Sequence, residues 1–193
     1  YRYIGPLIKS QGPYLLASKL RSIFCYDKES ADLLWSWSSS IPDDLGNQTR
    51  LSFEVAAHHI YVNTRTNMVC LDLATGAQSW SRKHHRSLGL SATDPPTIIT
   101  FRKKYKTVTG LSPTGKIKWL HSLPLKEKAH NYVTRCAPAG QDILIIWSSN
   151  TEAYLDSINA QTGKLNWRYG PFKGDAISAW GHPLNYGDLE HLY

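Results

Sequence analysis

The chain has 193 residues, 41% of them hydrophobic and 19% charged, with seven Trp and eleven Tyr; it can bury a sizeable core and is too aromatic and too weakly charged for the disordered class. No apolar run approaches the roughly 18–20 residues of a membrane-spanning helix, the stretch at 143–147 being among the longest. Lys and Arg number 22 against 15 Asp and Glu, a formal charge of +7, which suits an anionic partner without specifying a fold.

Taken in chain order, short alternating or β-rich runs separated by turn residues predict strands throughout. A first unit, 4–40, has strands at 4–9, 14–18 and 22–26 and a fourth that carries Trp35. A second, 50–84, has strands at 51–57, 59–63 and 68–73 and a fourth with Trp80. The third, 90–124, shows no clear first strand, then 97–101, 107–111 and the strand of Trp119. The fourth, 131–170, has 131–136, 143–147, 153–158 and the strand of Trp167; apolar stretches at 176–180 and 188–193 suggest a partial fifth unit.

One pattern recurs at the end of each unit. Its clearest copies are Cys70-Leu71-Asp72-Leu73-Ala74-Thr75-Gly76-Ala77-Gln78-Ser79-Trp80 and Ser157-Ile158-Asn159-Ala160-Gln161-Thr162-Gly163-Lys164-Leu165-Asn166-Trp167. The copy ending in Trp119 keeps Thr114-Gly115 four residues earlier but is one residue shorter ahead of it, and the copy ending in Trp35 has Ser30-Ala31 where the others have Thr-Gly. The four Trp are 45, 39 and 48 residues apart, the length of a four-stranded propeller blade. Between apolar stretches, Thr-Gly reads as a tight turn in which Gly76, Gly115 or Gly163 supplies a positive φ, and the Asp or Asn before it can bond the turn backbone.

The repeat resembles the tryptophan-docking motif of quinoprotein-type, PQQ-like β-propellers: a small residue, any residue, Asp or Asn, any two, Thr-Gly, any three, Trp. The likeness covers roughly residues 4 to 170. It implies an all-β propeller of four-stranded antiparallel blades, four to five in this chain, forming a single domain over 1–193 or a segment of a larger ring. It also implies that Trp35, Trp80, Trp119 and Trp167 are wedges between blades, and that Cys25 and Cys70, standing where Ser157 stands, are small packing residues. Quinone dehydrogenases of the resembled class bind their cofactor with calcium and typically carry adjacent cysteines; no Cys-Cys occurs here.

Three Cys without CxxC spacing give neither a disulfide framework nor a thiolate zinc site, and favour a reducing compartment over a periplasmic or secreted one. Neighbours in a strand face opposite ways, so an adjacent pair such as His58-His59 does not easily converge on one ion, and His84-His85, expected in a loop, have no third ligand at metal-site spacing. GxSxG, GxGxxG and phosphate-loop sequences do not occur. The chain starts Tyr1-Arg2-Tyr3-Ile4 without Met and without the look of a signal peptide, as a processed or excised chain would. Asn47-Gln48-Thr49 is a sequon that decides no compartment.

Charge placement is more informative than its sum. Between Arg82 and Lys128 there are eleven Lys or Arg and two acids, Asp94 and Glu127. In an up-and-down sheet the connection between strands two and three and the exit from strand four emerge at one end. That rule gathers Arg82, Lys83 and Arg86 (exit of the second unit), Arg102, Lys103, Lys104 and Lys106 (middle hairpin of the third) and Lys126 and Lys128 (its exit) on one rim. Lys19, Arg21 and Arg65 should join them, opposed by Asp43, Asp44 and Glu152, while Lys116 belongs at the other end. The expected function is a non-enzymatic scaffold, without cofactor or metal, whose basic face meets an acidic protein. The alternatives are a fragment of a quinone-dependent dehydrogenase and a nucleic-acid-binding propeller; with only Tyr105 inside the cluster, base stacking is thinly served.

Overall fold

The computed structural model of the chain describes residues 7–39, 51–64, 67–83, 86–102, 106–124, 132–149 and 152–173. They form sixteen strands in four antiparallel sheets, each a simple meander in chain order. Sheet one is β1 (Leu7–Gln11), β2 (Tyr14–Lys19), β3 (Ser22–Asp27) and β4 (Leu33–Ser38); sheet two is β5 (Ser52–Ala56), β6 (His59–Asn63), β7 (Asn67–Asp72) and β8 (Gln78–Lys83). Sheet three is β9 (Arg86–Leu90), β10 (Ile98–Arg102), β11 (Thr107–Leu111) and β12 (Ile117–Ser122); sheet four is β13 (Tyr132–Ala139), β14 (Asp142–Ser149), β15 (Glu152–Asn159) and β16 (Leu165–Lys173).

The first strands of successive sheets are neighbours, β1 against β5, β5 against β9 and β9 against β13. The sheets are thereby arranged side by side about a common inner edge, as propeller blades are.

Period-two alternation puts a different apolar set on each sheet face, and three cores result. Between sheets one and two lie Leu16, Ile23, Cys25, Phe53, Ile60, Val62 and Leu71. Tyr61, Met68, Cys70, Ile98 and Leu111 fill the space between sheets two and three. Ile99, Phe101, Val108, Trp119, Ile143, Ile145, Trp147 and Ile158 fill that between three and four. Ile98 and Ile99, adjacent in β10, thus serve opposite cores, and both are fully buried. At the inner edge Lys9 of β1 reaches Glu54 of β5 at 2.5 Å, with its ammonium 5.7 Å from the Phe53 ring centre.

The third unit differs from expectation at its start. It has a first strand, β9, and begins at Arg86 where the sequence suggests 90. β8 runs to Lys83, so Arg82, Lys83 and Arg86 belong to strands and do not make a projecting loop. β9 was obscured because it is short, contains Gly89 at φ 158° and pairs with β10 through a bulge at Ile99/Thr100, features that interrupt alternation. The stretch 176–193, expected to begin a fifth unit, lies outside the described residues.

Candidate functional site

The repeated Trp makes the same contact three times. Trp35 donates its indole N–H to Leu73 O (3.1 Å), Trp80 to Pro113 O (2.9 Å) and Trp119 to Ala160 O (2.9 Å), in each case across to the following sheet. Each indole lies flat on that sheet's turn glycine: a Cβ built on Gly76, Gly115 or Gly163 would stand 2.6, 2.8 or 2.6 Å from the ring. All three glycines have positive φ, 70°, 77° and 73°. No other residue offers both the left-handed backbone and the missing side chain.

Beneath each indole, on its own sheet, is a small partner: Cys25 pairs with Trp35, Cys70 with Trp80, Gly110 with Trp119 and Ser157 with Trp167. Burial pushes the Cys25 thiol up to about 11 and those of Cys70 and Cys136 to about 12, so they remain neutral thiols that pack. The turns are tied by their own side chains. Asp72 Oδ1 accepts from Ala74 N, Thr75 N and Thr75 Oγ1, Asn159 Oδ1 from the corresponding three atoms of Gln161 and Thr162, and Asp27 Oδ1 from Glu29 N and Ser30 N. In the shorter third turn Ser112 Oγ takes over and accepts from Lys116 N. Trp167 is the exception among the indoles, with 46% exposure against 7% for Trp119.

The basic residues divide. Register brings Arg86, Arg102 and Lys106 to one end of sheet three, because Arg86 pairs with Phe101, and Arg102 with Thr107, across the hairpin that contains Lys106. Lys83, exposed, pairs with Asn67 at the hairpin end of sheet two, and Lys19 is at the β2–β3 hairpin end of sheet one. Arg82 is engaged elsewhere. Its Nε donates to Gly115 O at 2.7 Å, beside the docked Trp80, and so helps bind sheet two to sheet three. Lys116 is exposed at the β11–β12 turn, at the opposite end of the sheet. Glu152, at the hairpin end of sheet four, accepts from Tyr154 Oη at 2.8 Å. Lys103, Lys104, Lys126, Lys128, Arg65, Asp43 and Asp44 lie outside the described residues.

A polar cluster between sheets three and four was not found from sequence. Asp156, fully buried on β15, takes two bonds from Arg168 (Nε–Oδ1 2.7 Å, Nη2–Oδ2 2.9 Å) and a third from the Trp147 indole N–H (2.8 Å). Trp147 stacks on Tyr154 at 4.3 Å between ring centres, and the Arg168 guanidinium lies 4.9 Å from the Trp147 ring centre. From β12, His121 places Nε2 4.0 Å from Asp156 Oδ2, with no hydrogen-bond partner. Burial draws the imidazole below its ordinary value of 6.5; Asp156 works against that depression and Arg168 with it. The one sequence signal was an Asp inside the apolar run of β15; its partners come from three other strands. Among the described residues no three His, Cys, Asp or Glu side chains converge as a metal site would require.

Successive four-stranded meanders, locked by tryptophans seated on the next sheet's turn glycine, define a β-propeller protein of the PQQ-like repeat class. A family model described as outer membrane protein assembly factor BamB matches residues 5–139. The chain belongs to that PQQ-like family. Among solved structures it is similar to BamB from Moraxella catarrhalis (15% identity, TM-score 0.55, 86% of this chain and 51% of that one). It is also similar to the Pan2 WD40 domain of Neurospora crassa (9%, 0.57, 85% and 48%) and to a europium-containing methanol dehydrogenase (13%, 0.59, 88% and 41%). At such identities the likeness is one of fold, and the chain spans about half or less of those proteins' lengths. No curated protein matches significantly in sequence.

Two sets of substitutions test these contacts. Trp119→Ala should lower unfolding free energy by about 3–5 kcal/mol. Gly163→Ala should cost clearly more than Gly140→Ala, whose φ is also positive (59°) but whose Cβ would meet nothing within 4 Å; the latter should cost about 1 kcal/mol, the backbone penalty alone. Equal losses in urea titrations would show that the indole does not rest on Gly163. Arg168→Met should cost about 2–3 kcal/mol, since it strands a buried carboxylate while Arg168 itself keeps some contact with water. Because His121 binds its proton more weakly folded than unfolded, its effect on stability is nil above the ordinary value of 6.5 and grows as pH falls below it. Melting curves of His121→Phe should therefore decline less steeply than wild type from there down to about pH 5.

Proposed function

We propose that this chain acts as a non-enzymatic protein-interaction scaffold whose basic rim, on sheets two and three, receives an acidic protein. The observation that carries the reading is the strand register, which sets Arg86, Arg102 and Lys106 at one end of sheet three, with Lys83 at the corresponding hairpin end of sheet two. Lys103 and Lys104 adjoin them in sequence. A surface concentrating like charge attracts anionic partners and speeds their encounter, and loops on rigid sheets are common binding platforms. The description of the family as an assembly factor supports a role exercised on other proteins. Arg82 is left out of the binding set because its guanidinium is engaged between sheets.

The test uses poly-glutamate and single-stranded DNA as probes, each titrated at low and at physiological salt. Wild type should bind poly-glutamate with an affinity that falls steeply with salt. Replacing Arg102, Lys103, Lys104 and Lys106 together by Ser should weaken it at least about tenfold at low salt, with the melting temperature nearly unchanged. Unchanged affinity in the variant would sink the proposal. Binding of the DNA but not of poly-glutamate would replace it with a nucleic-acid reading.

A further inference from the structure

Among the described residues four pairs of strands are joined by hairpins of two residues. They are Gly12-Pro13 between β1 and β2, Leu20-Arg21 between β2 and β3, Ala57-His58 between β5 and β6, and Gly140-Gln141 between β13 and β14. In all four the first loop residue has a positive φ, 55°, 53°, 50° and 59° in turn. Hairpins this short take Gly at such a place, because in the left-handed region a Cβ crowds the backbone carbonyl. Two of the four have Gly, and a third has the smallest side chain after it. The leucine of the β2–β3 hairpin is the odd member.

The glycine hairpins show that the turn is built without a side chain, and the leucine gives the fold little in exchange for its strain. Leu20 is 57% exposed and belongs to none of the three cores. Backbone strain that surrounding structure holds in place collects at functional positions. The tip is held from both sides: Leu51 N donates to Leu20 O at 3.2 Å and Ser39 N to Arg21 O at 3.0 Å, so the chain leaving sheet one and the chain entering sheet two both fix it. A side chain on a braced turn costs less ordering when it is bound.

The surroundings say what it meets. Leu20 stands between Lys19 and Arg21, at the hairpin end that Lys83 marks on sheet two and Lys106 on sheet three. The other three hairpins turn at the opposite end of their sheets, so the strained leucine is confined to the basic end. A side chain of four carbons is too small to hold a lipid layer, to which even one long acyl chain binds marginally. It is large enough to fill a recess on a protein, where interfaces are apolar at the centre and polar around it. Building on the basic-rim reading, we infer that Leu20 is the apolar anchor of that rim, seated in a recess of the acidic partner while the neighbouring lysines and arginines meet its carboxylates. Charge draws the partner in; the leucine selects among acidic surfaces, because one without an apolar recess leaves it in water.

The test titrates the full chain, wild type and Leu20→Gly, with poly-glutamate and with a glutamate–tyrosine copolymer of equal length, whose rings supply apolar surface beside the carboxylates. Wild type should bind the copolymer about tenfold more tightly, as burial of one leucine allows, and the preference should persist at physiological salt, which screens charge but not apolar contact. Leu20→Gly should bind both polymers alike, at the wild-type affinity for poly-glutamate, with a melting temperature no lower than wild type. Leu20→Asn, also at ease in a left-handed turn, should behave in the same way. Equal binding of the two polymers by wild type, or a preference kept in Leu20→Gly, overturns the anchor and leaves the rim reading standing; a wild type that binds neither polymer removes both. A clear fall in melting temperature in both variants would make Leu20 a structural residue instead. Leu20-dependent binding of phosphatidylserine vesicles without a copolymer preference would assign the tip to a lipid surface.

Discussion

An indole held between a small residue of its own sheet and a side-chain-free turn of the next is the contact on which the architecture depends. Each docked Trp does two jobs. Its ring is apolar surface that fills the outer part of the inter-sheet gap, where the blades diverge, and its N–H satisfies a turn carbonyl that no strand could reach. Around Trp119 the geometry leaves no slack, since both neighbours approach closer than any Cβ allows: Gly110 below the ring and Gly163 above it are each sites where an added methyl would overlap it. A close-packed interior transmits such a restriction directly, so the spacing between sheets is set by the thickness of one indole. Conservative changes around the ring would therefore act on the angle between blades as well as on stability.

The hairpin ends marked by Lys19, Lys83 and Lys106 on sheets one, two and three are far apart in sequence, and docking of the sheets fixes their separation. The division of labour between Lys83 and Arg82, adjacent in β8, follows from strand alternation. One side chain is exposed, while the other turns toward sheet three and finds Gly115 O. A count of positive residues treats the two alike; the pleat does not.

The parts legible in the sequence were those with local cause. In sheets two and four the Asp or Asn, Thr and Gly of the turn lie within five residues, and the side-chain hydrogen bonds of Asp72 and Asn159 are made inside that span; the Trp that follows is a large, rare residue at fixed distance. Sheets two and four could accordingly be outlined almost strand for strand. β9 escaped because Arg86-Ser87-Leu88-Gly89-Leu90 has only two large apolar residues and a glycine between them, and because its place is fixed from outside, by β10 and by its neighbours β5 and β13. The Asp156 cluster escaped for a related reason: carboxylate, guanidinium, indole and imidazole come from β15, β16, β14 and β12. Ser30-Ala31 looked like a degraded copy, and only the backbone hydrogen bond from Ala31 N to Asp27 O shows that the turn itself is intact.

That cluster also bears on how an outer strand stays in register. β4, β8 and β12 are each held on two sides, by the ladder to the third strand and by their Trp in the following sheet. β16 has the ladder, interrupted by bulges at Ala153/Leu155 and Ser157/Ile158, and among the described residues no sheet beyond it. What it has in addition is side-chain bonding to its own sheet: Arg168 in two bonds to Asp156, and Asn166 Nδ2 to Asp142 Oδ2 at 2.8 Å, the carboxylate that also accepts from Ser157 Oγ. A buried ion pair is an expensive way to gain stability, because desolvation offsets most of the attraction. It is an effective way to forbid a one-residue slip, which would turn Arg168 to the opposite face and strand Asp156. The polar lock in sheet four thus does within one sheet what the indole does between two, and it occurs in the sheet whose indole is left over.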